Sequence, residues 1–323
     1  MVRGDNKGKE TFSFRRDLRL PHNKFTRKNI KMRVLVTGGA GFIGTQLVKK
    51  LSESGHDVIS IDNTINEKKF FEQGYLCLDI CNYDHLTKLR RIIEGVDIVY
   101  HLAAKKDLQA SFQRTILYHR TNVVGTINLL ELCRDVGVKR FVLASTCAVY
   151  GETSATGIYR EKIAPKPLSP YGLQKLTAEQ YCEIYSKHHG VDCVSLRYFN
   201  VFGPGTNEGV IPTFLNQHKN KKPLTIFGTG EHSRDFVYVD DVVDATILAG
   251  EHNTEHNGDV FNIASGDCVS INEIAFSICE TDEKIKRLTA QPEATFVCGN
   301  ISKIKKVLKW KPKTDVLDWI SNQ

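Results

Sequence analysis

From Lys31 onward the chain alternates between short, nearly unbroken apolar runs rich in β-branched residues and longer stretches whose apolar positions recur every three or four residues. The short runs predict strands at 33–37, 57–61, 75–78, 97–102, 140–145 and 193–197, with 259–263 returning late in the chain. The longer stretches predict helices at 42–54, 83–94, 121–136 and 171–188. A strand apolar on both faces is covered on both faces, and strands that alternate with helices pair in parallel. The pattern therefore predicts an α/β fold on a doubly wound parallel sheet. After Asn200 it changes to Gly- and Pro-rich turns, short strands at 224–227 and 236–239, and small helices. A smaller C-terminal lobe over 201–323 is expected, with 240–263 re-entering the first lobe, 32–200, as a helix and a strand.

Composition narrows the class. With 323 residues, 41% apolar and 25% charged, the chain has material for two lobes or one enlarged domain. No apolar run approaches the roughly 18 residues of a spanning helix, and the N-terminus lacks a secretory pattern, so a cytoplasmic protein without a membrane partner is expected. Nine cysteines, an odd number without a Cys-x-x-Cys pair, read as free thiols and leave no metal site to expect. The net charge of +7 lies in residues 1–31, and Lys/Arg and Asp/Glu balance from Met32 onward. That basic tail reads as a disordered arm or as sequence upstream of a true start at Met32. A nucleic-acid partner is expected, if at all, only through it.

Chemistry enters at Val34–Gly44, where glycines recur at three-residue spacing, Gly38, Gly41 and Gly44, as a strand hands over to a helix. Such glycines allow a tight turn, close approach of backbone to a pyrophosphate, and a helix N-terminus facing the anion. A glycine trio alone is weak evidence. Here Asp62 ends the next predicted strand 18 residues after Gly44, placed to accept hydrogen bonds from an adenosine ribose. Its carboxylate would repel a 2′-phosphate and Asn63 adds no cation, so NAD is expected over NADP. The second motif, Tyr171-Gly172-Leu173-Gln174-Lys175, puts Tyr171 and Lys175 on one helix face. A phenol is a poor base at neutral pH unless cations favour its phenolate, and Lys175 with an oxidised nicotinamide would be those cations. The pair alone is a common surface feature. A strand ending at Ser145-Thr146 strengthens it by delivering hydroxyls to the carboxyl edge of the sheet, with Thr146 able to bind the hydroxyl that Tyr171 deprotonates or simply to cap the strand.

Taken together these residues resemble the extended short-chain dehydrogenases/reductases of the sugar-nucleotide epimerase/dehydratase group. The resemblance covers roughly Met32 to Pro312 and includes His101-Leu102-Ala103-Ala104, Asn122 to Thr126, Tyr150-Gly151, Arg197-Tyr198-Phe199-Asn200 and Arg234-Asp235-Phe236. It implies a Rossmann-type lobe holding NAD and a smaller lobe gripping a nucleoside diphosphate sugar. By position it makes Thr146, Tyr171 and Lys175 catalytic. It places Gly38, Gly41, Phe42, Ile43, Gly44, Asp62, Asn63, Asp79, Ile80, Leu102, Ala103, Ala104, Asn122, Tyr171, Lys175 and Tyr198 around the cofactor. Ser111, Thr146, Asn200, Val210, Thr225, Phe227, Arg234 and Val297 would face the substrate. It also implies a homodimer through the helices at Thr121 and Tyr171.

Within the group the chain is most similar to UDP-glucose and UDP-N-acetylglucosamine 4-epimerases, which implies NAD-dependent epimerisation of a UDP-hexose through a transient 4-keto sugar. Sugar dehydratases carry Asp and Glu directly after the threonine. Here Cys147 and Ala148 stand there, so elimination lacks its proton-transfer groups. Where relatives place an arginine on the diphosphate, Ala290 stands, and losing one charge-assisted contact costs about 1.5–3 kcal/mol unless Arg287 or another cation substitutes. Val297 falls near a gate whose small size would admit an N-acetyl group. Open alternatives are another nucleotide-sugar enzyme (a decarboxylase, dehydratase or reductase) and a non-catalytic NAD- or RNA-binding module of the same fold.

Overall fold

The structure is a computed structural model that describes residues 31–64, 75–152, 154, 156–253, 255–279, 281, 284–289 and 295–323. The basic tail up to residue 30 and Ala290 lie outside the described residues. In chain order the strands are β1 (Arg33–Thr37), β2 (Asp57–Asp62), β3 (Leu76–Cys77), β4 (Ile98–His101), β5 (Arg140–Thr146), β6 (Ile158–Tyr159), β7 (Asp192–Tyr198), β8 (Asn200–Phe202), β9 (Leu224–Phe227), β10 (Ser233–Tyr238), β11 (Asp259–Ile263), β12 (Cys268–Ser270), β13 (Ile285–Leu288) and β14 (Phe296–Gly299). Seven of them form one sheet in the order β11-β7-β5-β4-β1-β2-β3, every neighbouring pair parallel.

The unbroken apolar runs have their explanation in this sheet. Along β1, Val34 and Val36 enter one core and Leu35 the other, and all three are fully buried. Along β5, Val142 faces the first core while Phe141 and Leu143 face the second. Helices Phe42–Glu53 and Val239–Glu251 cover the first face; Tyr83–Ile93, Gly125–Val136 and Pro170–His189 cover the second. Chain direction across the sheet reverses between β1 and β4, which opens a crevice at their carboxyl ends.

The later strands build smaller sheets. β10 pairs in parallel with β8 and β14 and antiparallel with β12, β14 continues to β6, and β9 pairs with β13. A third core, including Phe202, Phe214, Ile226 and Phe236, lies beneath them. One segment differs from the expected division at residue 201. Ile301, Ile304, Leu308 and Trp310 join the core of the large sheet, where Trp310 donates to the Asp241 carbonyl at 3.1 Å. Trp319 instead packs at 5.4 Å against Phe202 in the third core.

Candidate active site

A cleft of about 430 Å³ lies at the carboxyl ends of β1 and β4. Gly38 has φ +73°, and a Cβ there would sit 2.7 Å from the Ala103 nitrogen. A Cβ on Gly44 would come within 2.1 Å of the Gly38 carbonyl. These glycines let helix Phe42–Glu53 begin directly against the ends of β1 and β4. Its N-cap, Gly41, supplies no side-chain cap, so the first amides and the positive end of the helix dipole serve the cleft. Across from them Asp62, only 9% exposed, accepts from the Ala40 nitrogen at 3.1 Å and the Thr64 nitrogen at 2.9 Å. A fixed carboxylate facing an uncapped helix start suits the ribose and pyrophosphate of a dinucleotide. Asn63, Phe42, Ile43, Ile80, Leu102, Ala103, Ala104 and Tyr198 line the same cleft.

Behind this wall, His101 is buried between the Thr37 hydroxyl (Nδ1, 2.7 Å) and the Thr126 hydroxyl (Nε2, 2.9 Å). Burial, aided by the charge of Lys175, pulls its pKa down to about 3, so the ring is neutral. Thr37 also accepts from the Ala103 nitrogen at 3.2 Å, so one hydroxyl joins the ends of β1 and β4.

Tyr171 and Lys175 enter from helix Pro170–His189. Ser169 caps that helix, accepting from the Gly172 nitrogen at 3.0 Å, and Pro170 takes the first-turn position that needs no N–H donor. Gly172 lets the helix press on the turn after β5, since a Cβ there would stand 2.6 Å from the Ala148 carbonyl. Both functional side chains are buried at the cleft. Burial pushes the Tyr171 phenol up to about 12, with the nearby Thr146 hydroxyl acting in the opposite direction. Burial pulls the Lys175 ammonium down to about 8.

A second cleft, about 280 Å³, is lined by Asn200, Val210, Thr225, Phe227 and Arg234 among others. Arg234 lies on β10 beside Val297 of β14 and Val269 of β12. Its neighbour Asp235 is fully buried and accepts from the Ser265 nitrogen and hydroxyl and from the Gly266 and Gly299 nitrogens, all at 2.6–3.1 Å.

Four residues read as site residues stand elsewhere. Asn122 does not line the cleft: it is fully buried, and its amide takes the Lys105 N–H and returns a bond to the Lys105 carbonyl, so it holds the loop after β4. Asp79 lies outside the cleft too, its carboxylate accepting from the Cys81 nitrogen at 2.8 Å. Ser111 is fully buried, its hydroxyl spent on the Leu108 carbonyl and the Tyr171 nitrogen. Val297 packs against the large core and lines neither cleft. Thr146 follows Ser145, which lines the first cleft, and its hydroxyl accepts from the Ala148 nitrogen at 3.2 Å. Thr37, Lys105 and Lys106, not among the expected site residues, also line the first cleft, as does Ser145, whose strand-end hydroxyl was expected at the sheet edge. The strand-end hydroxyl beside Gly38 was the available signal for Thr37.

Residues 34–264 match the NAD dependent epimerase/dehydratase family. UDP-glucuronic acid decarboxylase 1 of Xenopus tropicalis is 32% identical over 90% of this chain and 71% of its own. Among solved structures, the UDP-glucose 4-epimerase of Thermotoga maritima with UDP-glucose superposes with a TM-score of 0.80 at 32% identity, over 90% of this chain and 96% of that one. The UDP-glucuronic acid 4-epimerase of Bacillus cereus, in complex with UDP-glucuronic acid and NAD, gives 0.81 at 33% over the same shares. By sequence across the large sheet and by fold over nine-tenths of its length, the chain belongs to the NAD-dependent epimerase/dehydratase family, and NAD is its cofactor.

Proposed function

We propose that the protein interconverts UDP-hexoses that differ at carbon-4, UDP-glucose with UDP-galactose or the N-acetylated pair. One observation carries the reading: Tyr171 and Lys175, buried one helical turn apart, line the dinucleotide cleft together with Ser145 of the strand end that carries Thr146. Thr146 orients the 4-hydroxyl and Tyr171 takes its proton, returning it when the sugar is reduced on the other face. Bound NAD supplies the hydride acceptor and donor, so net redox change is zero. The start of helix Phe42–Glu53 holds the pyrophosphate, Asp62 the ribose, and Lys175 the charge beside the phenol. Arg234 and Asn200 bind the sugar diphosphate, and Phe227, 45% exposed, offers a face to the base.

Elimination fits less well. The residue after Thr146 is Cys147, whose thiol is pushed up to about 12 by burial and by Asp235, and Ala148 follows. Neither donates or accepts a proton at neutral pH. We also infer a cytoplasmic homodimer. All nine cysteines are free, as a reducing compartment favours, and the adjoining helices at Thr121 and Tyr171 expose apolar side chains.

The test is incubation of the purified protein with UDP-glucose and with UDP-N-acetylglucosamine, followed by proton NMR. The galacto isomer is expected without added NAD, at a rate reduced about 10²–10⁴-fold in Tyr171→Phe. Carbon dioxide release from UDP-glucuronate, with both neutral sugars unchanged, would replace epimerisation by decarboxylation.

A further inference from the structure

Tyr171, Lys175 and Glu179 follow one another at four-residue spacing on helix Pro170–His189, and all three are buried. The Glu179 carboxylate accepts from the Ser145 hydroxyl, and from Arg197 through Nε at 3.0 and 3.2 Å and Nη2 at 2.7 Å. Ser145 precedes Thr146 and lines the cofactor cleft, while Arg197 is its register partner across β5 and β7. The guanidinium is itself held at 4.5 Å over the Tyr150 ring, whose hydroxyl donates to Asn262. A buried ion pair is a poor source of stability, because desolvating two charges offsets most of their attraction. This one joins the catalytic helix to the two strands that end at Thr146 and Tyr198.

We propose that Glu179 is a positioning residue of the reaction: clamped by Arg197 and Ser145, it keeps Lys175 charged in a buried site and fixes the strand end that presents Thr146. The proposal rests on the reading of Tyr171 and Lys175 as the proton-transfer pair. On Lys175's own helix the titratable neighbours are Tyr171, Glu179 and Cys182. Burial holds the Cys182 thiol well above its ordinary value, so it carries no charge at neutral pH. From β4 comes His101, kept neutral, and from β7 come Tyr198, a phenol pushed up by burial, and Cys193, a thiol against Cys182. The helix through Asn122 and Thr126 contributes neutral groups there. Glu179 is thus the charged group on this helix that opposes desolvation of Lys175, and Arg197 pairs with it at 2.7 Å.

The experiment is a titration of the full chain labelled with ¹³C at the lysine ε-carbons, with Lys175→Arg marking the Lys175 resonance. Glu179→Gln preserves shape and removes the charge. Glu179→Gln combined with Arg197→Met removes the pair together, avoiding a lone buried cation. In both, the Lys175 midpoint is expected to fall by about one pH unit or more, and the alkaline limb of the kcat profile to move with it. Glu179→Asp restores part of the shift. An unchanged Lys175 midpoint in either folded variant overturns the proposal, whatever happens to the rate. If the native protein epimerises no UDP-hexose while the midpoint still moves, the proposed reaction fails and the role of Glu179 on Lys175 stands.

Discussion

His101 carries a pH dependence that its sequence neighbours do not advertise. Its ring is neutral down to about pH 3 in the folded chain, whereas the unfolded chain protonates it near 6.5. Below 6.5 the unfolded state therefore binds more protons, so stability falls as pH drops from 6.5 toward 3 and is fully retained above 6.5. Between pH 7 and pH 5 this one residue costs about 2 kcal/mol. Urea unfolding at both pH values should show that His101→Gln, whatever its absolute stability, loses about 2 kcal/mol less than the native chain across the interval. Equal losses in the two proteins would place the acid sensitivity elsewhere. Gly44 yields a second expectation. A methyl group there meets the backbone carbonyl of Gly38 at 2.1 Å, an atom that cannot swing aside. In Gly44→Ala the helix start must retreat from the cleft, so NAD released on denaturation should fall at least tenfold relative to protein. Retention of the full complement would mean that the amides at this helix start do not hold the pyrophosphate.

At the scale of elements, the large sheet was legible because covering on both faces writes itself as apolar runs. β1, β9 and β11 coincide with their predicted spans, β2 and β5 run one residue further at their ends, and β7 runs one residue further at each end. The helix expected at 121–136 is preceded by Thr115–His119 and opens with a π-turn at Arg120–Val124, a register change that apolar spacing does not encode. β10 was expected at 236–239 but runs from Ser233 to Tyr238, because Asp240 and Asp241 favour a helix start and draw Val239 into the following helix. β6, β12 and β14, two to four residues long, were not read at all, since they are ordered by β10 and its neighbours and not by any pattern of their own. The site divides the same way. The glycines, Asp62, Tyr171 and Lys175 are contact residues with local signatures, whereas Asn122 and Ser111 are polar groups whose bonds point back into the protein. Asp235 was visible only as part of a motif, and its structural work is to gather donors from the loop after β11 and from the last residue of β14. Asp235→Asn turns one acceptor into a donor that faces either the Ser265 groups or the Gly266 and Gly299 nitrogens. It should lower unfolding free energy by about 2–5 kcal/mol, read from the urea midpoint by tryptophan fluorescence. A loss below about 1 kcal/mol would mean that the smaller sheets do not depend on this carboxylate.

For the whole molecule, the telling feature is what the second face of the sheet leaves uncovered. Ile116 is 82% exposed, and Val124, two helical turns later, is exposed as well. On the adjacent helix Pro170–His189, Leu173 and Ile184 form a parallel stripe, also exposed. An apolar strip spanning two neighbouring helices is what a two-fold interface requires, since each copy presents the same patch and four helices then pack as a bundle. Because each substitution in such an interface occurs twice, Leu173→Glu with Ile116→Glu sets like charges against each other across the axis. The native chain is expected to sediment as a dimer at about 10 μM and the double variant as a monomer. The consequence reaches the chemistry because Leu173 points outward from the turn whose inward side carries Tyr171 and Lys175. A partner that presses on this helix restrains the geometry of both, so the monomeric variant should keep its fold by circular dichroism while its kcat falls with little change in KM. A native chain that sediments as a monomer, or a variant that remains a dimer, would assign these stripes to something other than a second copy.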